Sequence, residues 1–293
     1  MIAGVPPKKS KREFDFSRYQ KRYIALNVAY QGFDYYGFAR QEGIKETIEE
    51  EIFAAVRKTC LVPDGKSWKE MFYSRGGRTD KGVSAAGQVV ALEVRSRALV
   101  GEEPCSEESE LDYPCIINRV LSSKIRVVGW KTVDRSFSAR FSAKNREYKY
   151  FFVDHDCGLN LSAMKEAANF LVGEHDFRNF CKADVPTVTN FIRSILSVSV
   201  KRAPFEVGSF SIIELHISGT AFLWHQVRNI YSSERNGLPF ICEFVADQMY
   251  CCCSLDGWRR EGKATDCSGT PRCHSSQSEA SVRDGIGAGS TAL

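Results

Sequence analysis

One short stretch of the sequence concentrates the residue types that do chemistry: Gly77-Arg78-Thr79-Asp80-Lys81-Gly82-Val83. Its single carboxylate, Asp80, stands between two cations, and flanking positive charges favour the ionised form of a carboxyl group. Glycines on both sides would let another backbone or a ligand approach closely. The alternative is an Asp-Lys-Gly turn whose charges are merely solvated. A phosphate-binding loop is a poor fit, because no Gly-Lys-Ser/Thr follows at the required spacing.

This stretch lies between regular elements that would hold it in place. Alternation over 22–30 predicts a strand, and one apolar face within 46–59 predicts an amphipathic helix. A second strand is predicted over 87–94. The glycine- and charge-rich segment 71–85 therefore connects a helix to a strand, and charged loops between regular elements usually carry function.

The second half of the chain shows elements of a similar kind, without any repeat of the sequence itself. A short helix within 114–123 and a strand over 124–130 precede an aromatic strand over 146–153 and an amphipathic helix over 161–173. The alternating stretches 191–202 and 210–219 predict a pair of strands, and 220–230 predicts a helix. A chain of 293 residues has room for two domains of this kind.

Composition limits the class of protein. Hydrophobic residues make up 43% of the chain, enough for sizeable cores. No apolar run approaches the roughly 20 residues needed to cross a bilayer. The N-terminus has no apolar stretch and is not a secretory signal, so the 11 cysteines are expected to be reduced thiols. A net charge of +4 neither requires nor excludes nucleic-acid binding, but residues 140–149 form a basic cluster.

Six segments, in order, resemble the TruA-type tRNA pseudouridine synthases. Residues 74–92, SRGGRTDKGVSAAGQVVAL, are similar to the catalytic motif of that family, and 30–41, YQGFDYYGFARQ, to its first aromatic-glycine motif. The other similar segments are INRVLSSKIRVVGW (117–130), SFSARFSAKNREYKYFF (136–152), LVGEHDFRNFCK (171–182) and GTAFLWHQVRNI (219–230). Several ordered motifs identify a family far better than one motif does. The motifs most resemble those of the eukaryotic tRNA pseudouridine(38/39) synthase branch.

The resemblance implies a fold and a role for each matching residue. The family fold is α+β, with two domains that each carry an antiparallel sheet and helices around a basic central cleft. By resemblance, Asp80 would be the nucleophile that attacks a flipped uridine at the base or the sugar. Tyr148 would stack on the target base, and Arg228 would pair with the Asp80 carboxylate. Arg78 and Lys81 would bind the substrate RNA, with Arg78 helping to hold the flipped state.

The resemblance also implies a reaction, the isomerisation of uridine to pseudouridine in the anticodon stem-loop of tRNA. Nothing is oxidised or added, so no metal ion and no other cofactor is expected. Unstacking a base costs a few kcal/mol, and stacking on an aromatic ring returns roughly 1–3 kcal/mol. The expected partner is tRNA, with no membrane contact, and a homodimer is compatible with an intact C-terminal fold.

We predict four regions along the chain. Residues 1–19 are a basic flexible arm, and 20–112 are a domain with the catalytic motif and an acidic insertion near 101–112. Residues 113–230 are an incomplete C-terminal domain, and 231–293 are a divergent, largely disordered tail. Residues 254–293 contain seven Ser, six Gly and one aromatic residue, too few apolar groups to fold. The basic arm is a nuclear address, a nucleic-acid-binding arm or a solvated tail, and we expect the protein in the nucleus, the cytoplasm or both.

Two other classes of function stay open at this point. The divergent tail favours a catalytically impaired RNA-binding protein of the same fold, whereas the intact GRTDKG motif favours catalysis. A metal-dependent hydrolase would need a cluster of His, Asp and Glu at ligand spacing, which the sequence does not show. We expect the aromatic residues Phe177, Phe180, Phe222 and Trp224 to lie in the core. His225 falls within a predicted helix, and we assign it no role.

Overall fold

The computed structural model describes residues 14–154, 159–182, 188–235 and 248–254, which all belong to one compact unit. The strands are β1 (Tyr19–Tyr30), β2 (Ser74–Arg75), β3 (Ser84–Leu99), β4 (Ile125–Thr132), β5 (Asn145–Asp154), β6 (Gly173–Asp176), β7 (Ile192–Val207), β8 (Phe210–Gly219) and β9 (Gln248–Ser254). The helices are α1 (Ile48–Lys58), α2 (Tyr113–Asn118), α3 (Leu161–Asn169) and α4 (Gln226–Arg235), with 3₁₀ turns at Phe16–Arg18 and Arg178–Phe180.

Within the described residues, the nine strands form one sheet in the order β4-β1-β3-β9-β5-β8-β7-β6, and β2 pairs with β3. Neighbouring strands are antiparallel, except that β3 and β9 are parallel. The chain is therefore α+β, as predicted. The basic central cleft stays a prediction.

The first half of the sheet is built on the long pair β1 and β3. Both strands exceed the predicted ranges because their pairing continues as far as Tyr19 and Leu99. α1 begins after Thr47, whose hydroxyl accepts a hydrogen bond from the Glu50 amide, a typical N-terminal cap. Its apolar face, with Phe53 only 1% exposed, belongs to the core of this half. This core supports the segment between α1 and β3, where Asp80 lies.

α2 and β4 complete the first core. Tyr113 and Ile117 of α2 are fully buried in it, and β4 pairs with β1. Packing thus places residues 113–139 with the first half of the sheet, although the sequence pattern assigns them to the second domain. The division of the chain into domains at residues 112 and 113 stays a prediction.

The acidic insertion near 101–112 is anchored by one buried carboxylate. Glu110 is 8% exposed, and it accepts hydrogen bonds from the Ser96 hydroxyl and from the Arg97 amide, the latter at 2.6 Å. It also pairs with the Arg22 Nε at 3.0 Å. A buried charge needs such partners, so this insertion is fixed to β1 and β3 at its end.

Only the end of the predicted basic arm 1–19 is described, because residues 1–13 lie outside the described residues. Phe14 stacks on Tyr19 with ring centroids 5.4 Å apart, and the Arg95 guanidinium lies over both rings. β1 already begins at Tyr19. The chain is therefore packed against the sheet from residue 14 onward.

The second half of the sheet is the antiparallel run β5-β8-β7-β6. Its core contains Tyr150 and Phe152 from β5 and Ile213 and Leu215 from β8, all at most 5% exposed. α3 begins after Asn160, whose side chain accepts from the Ala163 amide. The strands predicted over 146–153, 191–202 and 210–219 and the helix over 161–173 are confirmed, with shifted ends.

β9 joins the two halves through backbone pairing. Tyr250 of β9 pairs with Ser84 of β3, and Cys251 pairs with Tyr148 of β5. The expectation of a largely disordered tail over 231–293 is therefore wrong for 231–235, which end α4, and for 248–254. A strand forms there because unpaired backbone groups on β3 and β5 need partners. Residues 236–247 and 255–293 lie outside the described residues, and so does nearly all of the segment expected to be disordered.

None of the described helices is long and apolar enough to cross a membrane.

Candidate active site

Asp80 lies on the loop between β2 and β3, and the backbone of that loop is fixed by the first aromatic-glycine motif. The Phe38 amide donates to the Thr79 carbonyl at 3.0 Å, and the Gly82 amide donates to the Tyr35 carbonyl at 3.2 Å. The Thr79 hydroxyl, which is buried, bonds the Tyr30 hydroxyl at 2.8 Å. These contacts hold the residues on both sides of Asp80, so the carboxylate sits on a rigid support.

Glycines make this close packing sterically feasible. Gly37 has a φ of +105°, and a Cβ placed there would lie 2.9 Å from the Thr79 carbonyl oxygen. A Cβ on Gly32 would overlap the carbonyl of Val83 at the other end of the loop. Only glycine combines such a backbone conformation with such an approach. The spacing of the two glycines in the first motif thus reflects contact with the loop that carries Asp80.

The Asp80 carboxylate faces a histidine from the second half of the chain. Its Oδ2 lies 3.6 Å from the Nε2 of His225, and the two side chains are 32% and 24% exposed. The partial exposure leaves room for a substrate atom at the carboxylate. His225 was assigned no role from the sequence, and the structure places it in contact with the predicted nucleophile.

The two cations that flank Asp80 in sequence are both exposed. Arg78 follows Gly77 in the loop, and the Lys81 ammonium lies 4.2 Å above the ring of Tyr36. Tyr36 is itself 46% exposed. The loop therefore presents positive charge and an aromatic surface beside the carboxylate, the combination that single-stranded nucleic acid requires.

Tyr148 lies on β5, half-buried between the two cores. Its ring makes an edge-to-face contact with Phe222, with centroids 5.0 Å apart. A half-buried ring braced by another aromatic residue is a suitable platform for a base. Its role as that platform stays a prediction.

Arg228 lies in the first turn of α4 and is exposed. It follows His225 by three residues, and His225 lies in the turn directly before α4. The pairing of Arg228 with the Asp80 carboxylate stays a prediction.

Arg146 connects the segment before Asp80 to the segment before His225 through hydrogen bonds. From the sequence it was noted only as a member of the basic cluster 140–149. Its Nε and Nη2 donate to the Gly76 carbonyl at 3.2 and 2.9 Å. Its Nη1 donates to the Thr220 carbonyl at 2.6 Å, and its Nη2 also donates to the Arg140 carbonyl at 2.8 Å. One guanidinium thus connects the segment before Asp80 with the segment before His225. A pattern of sequence cannot show this, because the acceptors are backbone carbonyls far apart in the chain.

Trp224 was expected in the core and is 49% exposed, so that expectation is wrong. The Lys182 ammonium lies 4.8 Å from its ring, and the Lys182 amide donates to the Trp224 carbonyl at 3.0 Å. The residue is exposed because it lies in a turn before α4 rather than on a helix face. Phe177, by contrast, is 1% exposed, as expected.

A buried network supports β2, directly before the Asp80 loop. Glu49 of α1 accepts hydrogen bonds from the Tyr73 hydroxyl at 2.7 Å, from the Arg40 amide at 2.7 Å, and from the Arg75 guanidinium. Burial, followed by the nearby Glu49 charge, raises the pKa of Tyr73 well above its usual value. Tyr73 therefore stays protonated and continues to donate, which keeps β2 attached to α1.

The part of the chain that the structure describes contains no group of three or more His, Cys, Asp or Glu side chains arranged to hold a metal ion.

Comparison with known proteins decides the family. A family model described as tRNA pseudouridine synthase matches residues 167–233. The tRNA pseudouridine synthase A of Thermococcus onnurineus is 33% identical over 227 residues, which cover 77% of this chain and 75% of that protein. This chain belongs to the TruA-type tRNA pseudouridine synthase family. The pseudouridine synthase fold named from the motifs is thereby supported.

Several of the family members that are similar to this chain are eukaryotic. The human tRNA pseudouridine(38/39) synthase is 45% identical over 236 residues, which cover 75% of this chain and 48% of that protein. The Saccharomyces cerevisiae protein of the same name is 41% identical over 227 residues, covering 75% and 50%. The chain thus spans about half the length of these curated relatives.

Proposed function

We propose that this chain isomerises uridine to pseudouridine in the anticodon stem-loop of tRNA, at the positions 38 and 39 that name its eukaryotic relatives. Asp80 is the nucleophile of the proposed reaction. One observation carries the proposal: a one-third exposed carboxylate stands on a loop whose backbone is fixed on both sides, in the family's catalytic motif. A rigidly positioned nucleophile is what a displacement at carbon needs.

The reaction rearranges bonds within one nucleotide. The bond between N1 and C1′ breaks, the uracil turns, and a bond forms between C5 and C1′. The proton on C5 leaves and N1 gains a proton, so atoms and charge balance without an oxidant or a second substrate. Asp80 provides the covalent attachment that keeps the fragments together, by attack on the sugar or the base.

The surroundings of Asp80 fit an extruded nucleotide. Arg78 and Lys81 are exposed beside the carboxylate and would bind phosphates, which supplies affinity and orientation. Tyr148 would stack on the flipped base, and this stacking would offset part of the free energy, about a few kcal/mol, that unstacking costs. Arg228 would act next to the carboxylate, from the first turn of α4. By the same proposal, the protein works where tRNA is made and used, in the nucleus or the cytoplasm.

The proposal is tested by incubating the purified chain with an unmodified transcript of an anticodon stem-loop that carries uridine at positions 38 and 39. Nucleosides from the digested product are quantified by mass-detected chromatography. We expect pseudouridine in this transcript and none in a matched transcript with cytidine at both positions. The reaction is repeated with a chelator present, and we expect the same yield.

Two results would contradict the proposal. Binding of the transcript with no pseudouridine over many hours would instead identify a non-catalytic RNA-binding protein. Pseudouridine formed equally in the cytidine control, at other uridines, would overturn the assignment of positions while leaving the reaction class intact.

A further inference from the structure

His225 has an unusual backbone conformation. It lies at the end of the connection from β8 to α4, and its φ is +60°, in the left-handed region that residues other than glycine rarely adopt. Cys60 and Phe72 are the other non-glycine residues with positive φ in the described chain. A residue held in this region raises the free energy of the folded protein, and such residues cluster at functional sites.

The neighbouring backbone shows how the conformation is maintained. The Trp224 carbonyl accepts from the Lys182 amide at 3.0 Å, and the His225 carbonyl accepts from the Asn229 amide at 2.9 Å. The Leu223 amide donates to the buried Gln226 side chain at 2.8 Å. Residues on each side of His225 are therefore fixed, which holds the left-handed turn in place.

The imidazole meets the Asp80 carboxylate across the junction of the two halves of the sheet. The Nε2 to Oδ2 distance of 3.6 Å is slightly long for a hydrogen bond, and such contacts often tighten when a substrate binds. Two cations of this region have other contacts: Lys81 lies over Tyr36, and Arg146 donates to three carbonyls. His225 is thus placed to fix one oxygen of a carboxylate that is one-third exposed.

We propose that His225 is a positioning residue, which orients the Asp80 carboxylate so that one oxygen is presented to the target nucleotide. The inference rests on the proposed function. It explains why a backbone conformation that disfavours folding is kept at this residue. It also gives the connection before α4 a role separate from that of Arg228.

The test uses His225→Gly, which removes both the imidazole and the backbone strain. We expect melting temperature to stay equal or rise, while the single-turnover rate of pseudouridine formation falls about 10–100-fold, the loss typical of a misplaced reacting group. Affinity for the transcript should change little. Added imidazole should restore part of the rate in His225→Gly and none in Asp80→Asn. His225→Gln, which keeps a donor near the position of Nε2, should retain more of the rate.

Cys60→Gly is the matched control, because Cys60 also has a positive φ, of 52°, and is not part of the site. It should gain stability in the same way and keep the full rate. A rate for His225→Gly within about twofold of the parent, or no response to imidazole, would overturn the positioning role.

A measurement without RNA separates this inference from the proposed function. The protein has five histidines, and His225→Gln assigns the His225 signals in a spectrum of protein with ¹⁵N-labelled histidine. We expect the Nε2 resonance of His225 to move when Asp80 is changed to Asn. An unmoved resonance would contradict the contact whether or not the chain forms pseudouridine. A moved resonance in a chain that forms none would leave the contact standing and refute the proposed reaction.

Discussion

Removing the Arg146 guanidinium should lower both the stability of the fold and the rate of catalysis, because this one group bonds to the segments on both sides of the site. The guanidinium donates four hydrogen bonds to three carbonyls, on Gly76, Thr220 and Arg140. These carbonyls belong to the segments that lead to Asp80, to His225 and to β5. Arg146→Met keeps much of the side-chain volume and removes every donor.

The expected loss follows from the number of acceptors. A hydrogen bond from a charged donor contributes roughly 1.5–3 kcal/mol when buried. Two of the four bonds share the Gly76 carbonyl, and the group is half-buried, so water recovers part of the loss. We expect the free energy of unfolding to fall by about 2–4 kcal/mol in Arg146→Met. For a chain of 293 residues, that lowers the melting temperature by about 3–7 °C.

Differential scanning fluorimetry measures the stability, and single-turnover pseudouridine formation well below the melting temperature measures the effect on the site. The matched control is Arg126→Met, because Arg126 donates to two carbonyls of its own segment, those of Ser122 and Ile125. Arg126→Met should change the melting temperature little. The reasoning is refuted if Arg146→Met is no less stable than this control, or if its rate is unchanged at a temperature where it is folded.

Three further predictions concern other parts of the structure. Gly37→Ala should destabilise the protein by about 1–3 kcal/mol. Gly43→Ala should destabilise it less, because Gly43 also has a positive φ but has open surroundings. Equal melting temperatures of the two variants would refute a steric contact between residue 37 and the Asp80 loop. Tyr148→Ala should lower kcat/KM by a factor equivalent to roughly 1–3 kcal/mol of lost base stacking, and Tyr148→Phe should lower it less. Identical losses in the two variants would rule out a stacking role. Burial raises the pKa of Glu93, but the hydrogen bond from Arg135 and the charges of nearby lysines outweigh it, so the pKa is lowered in the folded protein. The ion pairs of Glu93 therefore stabilise the fold above the ordinary pKa of a glutamate. This stabilisation is lost as the pH falls through the lower pKa of the folded protein. The melting temperature of Glu93→Gln should therefore lie below that of the parent at about pH 7, and the difference should shrink as the pH falls below the ordinary pKa of a glutamate. A difference that does not change with pH would contradict the shift.

The sequence predicts well those parts of the structure that depend on local pattern. Alternation gave the positions of β1 and β8, and aromatic content gave that of β5. The burial is less regular than the alternation, because four consecutive residues in the middle of β1 and of β8 are buried. The density of glycine and charge around Asp80 marked the loop that the structure places at the candidate site. The glycines at 32 and 37 could be read only as a motif, since the carbonyls that they approach belong to a segment some 45 residues later.

His225 shows what local pattern misses. The apolar spacing of 220–230 predicts one continuous helix, on which His225 would be an isolated polar residue. The structure begins α4 at Gln226, after a left-handed turn at His225, so the imidazole and the exposed Trp224 project from a connection. β9 was missed for a related reason. Its residues lack strand periodicity, and its place between β3 and β5 is set by long-range backbone pairing.

The central claim, that Asp80 is the nucleophile, is tested most directly by comparing Asp80→Asn with the parent in single-turnover pseudouridine formation on one anticodon stem-loop transcript. Asparagine preserves the size of the side chain and removes its nucleophilic charge. We predict that the rate falls by several orders of magnitude, on the order of 10³-fold or more, while the dissociation constant for the transcript stays within about threefold. A rate within about tenfold of the parent, equivalent to less than roughly 1.4 kcal/mol of barrier, would contradict the account.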